Sequence, residues 1–253
     1  MTFFSGTLLL THRQKSDQFI IVCVITIERT MNKSATQIPF QPEEKVLSRV
    51  EYAYRKIKNN ISTNVYPSGY QVLEPTLAGQ LGVSRTPVRE ALIRLEADKL
   101  IQLIPRRGMR VLPVSETDFE ELFHLVELIE LDAIGNICVD PANLSYASLE
   151  EIIEKLSAAI EQDDRALWVA LDDAFFSGIV ELAGNNHSLE VANNIYDRLR
   201  REKYLALENI ADSALVVSSR NDLVTALKRR DTDAAIDVHA SACSTTRRNL
   251  KSA

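Results

Sequence analysis

Glycine and proline are scarce in this chain, eight of each in 253 residues. That argues against a sandwich or barrel, whose many short strands need frequent turns. Cysteine is scarcer still. Cys23, Cys138 and Cys243 are scattered, without CxxC or CxxxH spacing, which suits a reducing cytoplasm and excludes a disulfide framework or zinc finger. The apolar run Phe19–Ile27 is far too short to span a bilayer, and the small-residue cleavage site of a signal peptide is missing. There is no HExxH motif, no paired nucleophile and base, no internal repeat and no low-complexity segment.

What is present fits two compact domains of ordinary globular composition, 45% hydrophobic and 25% charged. The net charge of −6 conceals a division: residues 44–113 hold twelve Lys and Arg against six acids, and residues 114–253 hold thirteen against twenty-six. A basic module beside an acidic one points to a polyanionic partner for the first alone. Residues 1–43 are read as an extension. Asn32–Gln41 has the polar character of a flexible arm, and translation is expected to start near Met31. The alternative is an extra strand or helix packed on the body.

From Glu44 to Ser62, apolar residues recur at three- and four-residue spacing, one amphipathic helix. Val65–Tyr70 reads as a turn. A short helix follows, with Pro75 in its first turn and Leu77, Ala78 and Leu81 facing inward, and Gly82 ends it. Ser84 is the expected N-cap of a third helix that buries Ala91, Leu92 and Leu95. Leu100–Ile104 and Met109–Leu112 read as two strands around Pro105-Arg106-Arg107-Gly108, a hairpin. Beyond Pro113, residues 116–139, 147–162, 164–183, 186–210, 213–230 and 232–250 each carry helical periodicity, with short breaks that include Asp140-Pro141 and the stretch near Ala211-Asp212. The expected fold is therefore mostly α, a helix-turn-helix with a small β-hairpin wing followed by an all-α bundle.

Helix, tight turn, capped helix is the order a helix-turn-helix requires, and its second helix enters the major groove N-terminus first. Arg85 and Arg89 share one face of that helix, away from the apolar positions. Their guanidinium forks can grip guanine O6/N7 or phosphate. Ser84 and Thr86 add hydroxyls. Arg106, Arg107 and Gly108 sit at the hairpin tip, where glycine permits close approach to a nucleic-acid backbone. Alone, Ser84-Arg85 would be a capped surface helix with solvated arginines; the ordered set of helix, capped helix and basic hairpin shifts the reading to double-stranded DNA.

The run Leu81-Gly82-Val83-Ser84-Arg85-Thr86-Pro87-Val88-Arg89-Glu90-Ala91-Leu92 closely resembles the signature of the GntR family of regulators, and Pro105-Arg106-Arg107-Gly108 resembles its wing. The helical part resembles the FadR subfamily, whose FCD-type effector domain is a helical bundle. The resemblance implies a cytoplasmic homodimer on a short palindromic operator, acting as a repressor that a small metabolite releases. It places Arg85, Thr86 and Arg89 in the major groove and Gly108 at the minor groove. Two departures stand out: Pro75 lies where the family often has an arginine, and Lys99 replaces the glycine that usually ends the reading helix. Because lysine tolerates left-handed backbone poorly, that helix is expected to end differently here.

Many FadR-type domains hold a divalent metal through one Asp and three His. Here Asp172 retains the Asp, Phe176 and Arg220 replace two of the histidines, and His239 retains the third. One carboxylate and one imidazole beside a guanidinium do not hold zinc tightly, so neither a metal nor another cofactor is expected. Arg220 instead offers a fixed cationic fork for an anionic effector such as a carboxylate, with Asp172, Phe176 and His239 around it; Asp172 paired with Arg220 and a surface arginine are the plainer alternatives. His124 and His187 read as surface residues. Tyr196, Leu199, Tyr204 and Leu207 read as core or dimer seam, and Arg198, Arg200, Arg201 and Lys203 as a solvated face. The leading function is a ligand-responsive, DNA-binding regulator that is not an enzyme. The competing readings are a metal-dependent enzyme resting on Asp172 and His239, and a constitutive DNA-binding dimer whose sensor has decayed.

Overall fold

The computed structural model describes residues 48–139, 144–207 and 214–251. The proposed N-terminal extension, Cys23, Met31, Asp140-Pro141 and Ala211-Asp212 lie outside them. Ser48 starts α1 (Arg49–Ser62) by accepting a hydrogen bond from the Glu51 amide, so the described helix begins five residues after Glu44. Ala53, Ile57 and Ile61 form its buried stripe, the four-residue repeat of one helix face. After the turn comes β1 (Gln71–Val72), a strand too short for periodicity to reveal. Then follow α2 (Glu74–Leu81), with proline in its first turn, and α3 (Arg85–Ala97). Gly82 joins the two in left-handed conformation, φ 67°, which costs glycine little.

Strands β2 (Ile101–Ile104) and β3 (Gly108–Val111) pair antiparallel, and β1 joins the free edge of β3. The register sets Gln71, Arg110 and Gln102 side by side, and all three are exposed, whereas Val72, Ile101, Met109 and Val111 are buried. That is the two-residue alternation of a sheet with one wet face. The buried strand residues and the inner faces of α1, α2 and α3 make one core, including Ile57, Leu77, Leu92 and Met109.

Among the described residues, six helices make the rest: α4 (Glu116–Val139), α5 (Ala147–Glu161), α6 (Arg165–Leu182), α7 (Asn186–Ala206), α8 (Ala214–Arg229) and α9 (Thr232–Lys251). Most of the breaks foreseen between them carry caps. Asp164 accepts from the Leu167 amide, Asn185 from that of Ser188 and Asp231 from that of Ala234, each supplying a partner for a free first-turn N–H. Helix α4 packs on α6, α7 and α9, and α5 on α6 and α8. Phe175, Ile134, Leu149 and Leu199 are fully buried between them. Helix α7 also touches α1. No helix of the described residues is long and apolar enough to cross a membrane.

Candidate functional site

Helix α3 buries Pro87, Val88, Ala91, Leu92 and Leu95, which turns the opposite face outward. On that face Ser84, Arg85, Thr86 and Arg89 are all exposed. The side chain of neither Arg85 nor Arg89 has a hydrogen bond or ion pair with another described residue, so both guanidinium groups are available to an external acceptor. Arg94, further along, is already engaged, bonded to Glu51 at 3.0 Å with its guanidinium 4.1 Å from the Tyr54 ring centre. Ser84 occupies the N-cap position as expected, but its side chain makes no capping bond, which leaves the hydroxyl and the first-turn amides of α3 unsatisfied by the cap.

The wing turns at Pro105. The Arg107 amide donates to the Ile104 carbonyl at 2.9 Å and Arg106 has φ 64°, the pattern of a type II turn with proline at its second position. Arg106 and Arg107 are exposed. A Cβ at Gly108 would sit 2.1 Å from the Val72 carbonyl oxygen, so the lack of a side chain there also makes room for the protein's own strand β1.

Lys99 corrects one expectation of the sequence. It adopts the left-handed conformation itself, φ 60°. The Leu100 amide donates to Leu95 O at 3.1 Å and the Lys99 amide to Glu96 O at 3.0 Å, the closure a glycine would give. Helix α3 therefore ends with the closure a glycine would give, with lysine bearing the strain.

Arg200, Arg201 and Lys203 of α7 are not the solvated face expected of them. Asp173 of α6, 2% exposed, receives Arg200 Nε at 2.7 Å and Lys203 Nζ at 2.8 Å. Arg201 is buried and bonds Glu202 and the Leu112 carbonyl. Asp197 pairs with Arg200 and with Lys58 of α1. Where α7 is covered by α1, α4, α6 and α9, its charges must find partners inside the protein. They form an ion chain from the bundle to α1. Tyr196 and Leu199 are core; Tyr204 and Leu207 are half-buried.

The four bundle residues singled out in the sequence come together. Arg220 is 5% exposed, and its Nε and Nη2 donate to Asp172 Oδ1 at 3.0 and 2.7 Å. Its guanidinium lies 4.5 Å from the Phe176 ring centre, and Phe176 meets His239 edge-on at 5.5 Å. Burial would raise the Asp172 carboxyl, but Arg220 and Lys203 outweigh it and hold that carboxyl below its ordinary value. This set does not fit the metal of the FadR type: one ligand position is a phenyl ring, and the remaining carboxylate is committed to a guanidinium.

His239 is fully buried and turns instead to two residues the sequence reading missed. Its Nε2 lies 3.2 Å from Glu130 Oε2 and 3.5 Å from Cys243 Sγ. Glu130 Oε1 accepts from the Tyr196 hydroxyl at 2.5 Å. Burial pushes the Glu130 carboxyl up to about 7, against the pull of Tyr196, Lys203 and Arg220. Burial pushes His239 down to about 4, with Arg220 adding to it, and Cys243 up to about 12. Only the four-residue spacing of His239 and Cys243 on α9 signalled this cluster in the sequence. His124 and His187 are exposed.

Beside the Asp172–Arg220 pair lies a cavity of about 750 Å³. Trp168, Leu207, Leu215 and Val216 give it apolar walls. Arg220, Lys203 and Arg248 bring cations, Ser218, Ser219, Thr245 and Thr246 bring hydroxyls, and Asp222 and Asp237 bring acids. A separate pocket of about 20 Å³ touches Glu130, Phe176, Arg220 and Cys243.

Two family models match the chain: "Bacterial regulatory proteins, gntR family" over residues 49–111 and "FCD domain" over residues 121–241. An HTH-type transcriptional regulator of the TAR-I ttuE-ttuC' intergenic region of Agrobacterium vitis is 38% identical over 138 residues, covering 53% of this chain and 81% of that protein. One from an unstable DNA locus of Streptomyces ambofaciens is 32% identical, covering 70% and 75%. The HTH-type transcriptional repressor RspR of Escherichia coli is 24% identical, covering 83% and 87%. Among solved structures, E. coli McbR/YncC superposes with a TM-score of 0.70 at 23% identity, over 82% of this chain and 99% of the other, a likeness of fold.

Proposed function

The chain belongs to the gntR family of bacterial regulatory proteins, and from that premise we propose how this DNA-binding transcriptional regulator, which is not an enzyme, reads its operator and senses its signal. Residues 44–113 are the DNA-binding unit and residues 114–253 the effector and dimerisation unit. Arg85, Thr86 and Arg89 enter the major groove, with Ser84 and the first-turn amides of α3 on phosphate. Arg106 and Arg107 reach the backbone from the wing, while Gly108 shapes the wing. The observation that carries this reading is the outward face of α3, where two guanidinium groups stand exposed and unpartnered among the described residues.

Two copies of the chain bind a short palindrome in the cytoplasm, since an operator's two-fold symmetry calls for a two-fold protein. The outcome is repression, as in the E. coli relative named a repressor. The effector occupies the 750 Å³ cavity as a small anion, its charged group facing Arg220 and Lys203. Asp222 and Asp237 on the same lining restrict it to one compact anionic group, such as a single carboxylate.

Titration of the full chain against the promoter region flanking its own gene tests the DNA reading. Wild type binds that sequence and weakens steeply with salt, whereas Arg85→Ala with Arg89→Ala does not bind specifically. Sequence-specific binding by the double variant refutes the assigned helix. For the effector, a thermal-shift screen with small carboxylates should find a compound that raises the midpoint in wild type and not in Arg220→Ala. No shift with any of them would support the constitutive reading instead.

A further inference from the structure

We infer that an anion held in the large cavity is sensed through a row of shared ion pairs, Lys203–Asp173–Arg200–Asp197–Lys58, that leads from the bundle to the reading helix. The inference rests on the effector reading of that cavity. Lys203 lies on the cavity lining and donates to Asp173 Oδ1 at 2.8 Å. The other oxygen of Asp173 receives Arg200 Nε at 2.7 Å. Arg200 Nη1 lies 3.4 Å from Asp197 Oδ1, and Asp197 Oδ2 receives the ammonium of Lys58 on α1. Lys58 also donates to the Tyr54 hydroxyl at 3.4 Å, which in turn donates to Asp98 Oδ2 at 2.6 Å. Asp98 is the C-cap of α3. Polar contacts therefore run without a gap from the cavity to the end of the reading helix.

The pairs in this row are not independent. Asp173, Arg200 and Asp197 are each divided between two partners, so what one partner gains the other loses. None of the five side chains is more than 25% exposed, so water replaces a lost partner poorly. Three cations face two carboxylates, and the cation at the cavity end is within reach of an anion. Arg220 beside it is held by two bonds to Asp172. The sign of the response follows from the sharing. An anion draws the Lys203 ammonium from Asp173, and the buried Asp173 closes on Arg200. Arg200 then gives up Asp197, where its contact is already the longer one. Asp197 is left to Lys58 and holds it more firmly. Helix α1 is thereby fixed against α7, and an operator that needs the DNA-binding unit turned otherwise is released, because a ligand favours the state it binds better.

Double-mutant cycles on Lys58→Met and Asp197→Asn, by urea denaturation of the full chain, measure the last link of the row in different backgrounds. Lys203→Met takes the ammonium from Asp173, as an anion would. The coupling of Lys58 to Asp197 should then rise by about three-fold or more in the folding equilibrium, beyond the roughly two-fold scatter of independent sites. Asp173→Asn frees Arg200 for Asp197, and the coupling should fall. Lys228→Met, whose pair with Glu150 lies outside the row, should leave it unchanged. Circular dichroism shows which backgrounds are folded; Lys203→Gln is read where Lys203→Met does not fold, and the Lys203 background decides by itself. A coupling that stays within about two-fold of wild type, or falls, when Lys203 is neutralised overturns the relay, since pairs that only hold the two units together show no such rise. An equal rise with Lys228→Met overturns it too. Neither DNA nor effector enters the measurement. A failed relay therefore leaves the proposed function standing, and failure of the operator or carboxylate tests leaves the measured coupling intact.

Discussion

Removing the carboxylate of Asp172 isolates a charge that the bundle cannot easily hydrate. In Asp172→Ala, Arg220 loses both of its hydrogen bonds to that carboxylate, at 2.7 and 3.0 Å, while remaining 5% exposed over the Phe176 ring. Breaking one partner of a buried pair costs about 3–5 kcal/mol, because the survivor stays buried and unpaired. Here the Asp172 side chain is 17% exposed and borders the large cavity, so solvent relieves part of the penalty. The expected loss is about 2–3 kcal/mol. At a slope near the top of the usual range of about 1–3 kcal/mol/M, the urea midpoint falls by roughly 1 M. The single tryptophan, Trp168, lines that cavity and reports unfolding by fluorescence alongside circular dichroism. Replacing both partners, Asp172→Leu with Arg220→Met, should return stability to within about 1 kcal/mol of wild type, since neither charge is then buried. A loss below about 0.5 kcal/mol in Asp172→Ala, the size of an exposed pair, would show that water screens this one. A double variant no better than the single would show that packing, not charge, is at stake.

Lys99→Gly should stabilise the protein by about 0.5–1 kcal/mol, the relief of left-handed strain less the backbone entropy glycine adds to the unfolded chain; a thermal midpoint that falls contradicts the strain at φ 60°. Gly108→Ala should cost more than about 2 kcal/mol, because the new methyl collides with the Val72 carbonyl and sits at φ 79°, and thermal denaturation at near-wild-type temperature would contradict it. Lys58→Asp should lose about 1–2 kcal/mol through repulsion from Asp197, and the reciprocal Asp197→Lys in the same chain should recover part of it. A double-mutant cycle in urea with no coupling would remove this link between α1 and α7.

The helices were legible because their breaks carry chemistry. Asp164, Asn185 and Asp231 cap the next helix, and Gly82 closes α2. Strand β1 was not, since two residues have no period and it exists only because β3 offers an edge. The reversed reading of Arg200, Arg201 and Lys203 has a similar origin. A basic run looks solvated until one knows that Asp173, on another helix, meets it inside the bundle. The Asp172–Arg220 pair could be anticipated from the aligned family positions. Glu130 could not: it is one acid among several on α4, and its partners Tyr196 and His239 lie far along the chain. Lys99 departs from the expected ending because tertiary demand outweighs local propensity there. The two amide bonds that close α3 and lead into β2 hold the lysine where glycine would be easier.

That α3 reads DNA is tested most directly by comparing base preference and salt dependence across two sets of variants on one operator. Arg85→Ala and Arg89→Ala should relax discrimination at particular base pairs, by about 1–3 kcal/mol each where the contact is bidentate. Arg106→Ala and Arg107→Ala should weaken all sequences alike, and each should lower the slope of log K against log salt by about one. If Arg89→Ala keeps the wild-type base preference and the wild-type salt slope, its guanidinium never meets the duplex, and the exposed face of α3 is not the reading surface.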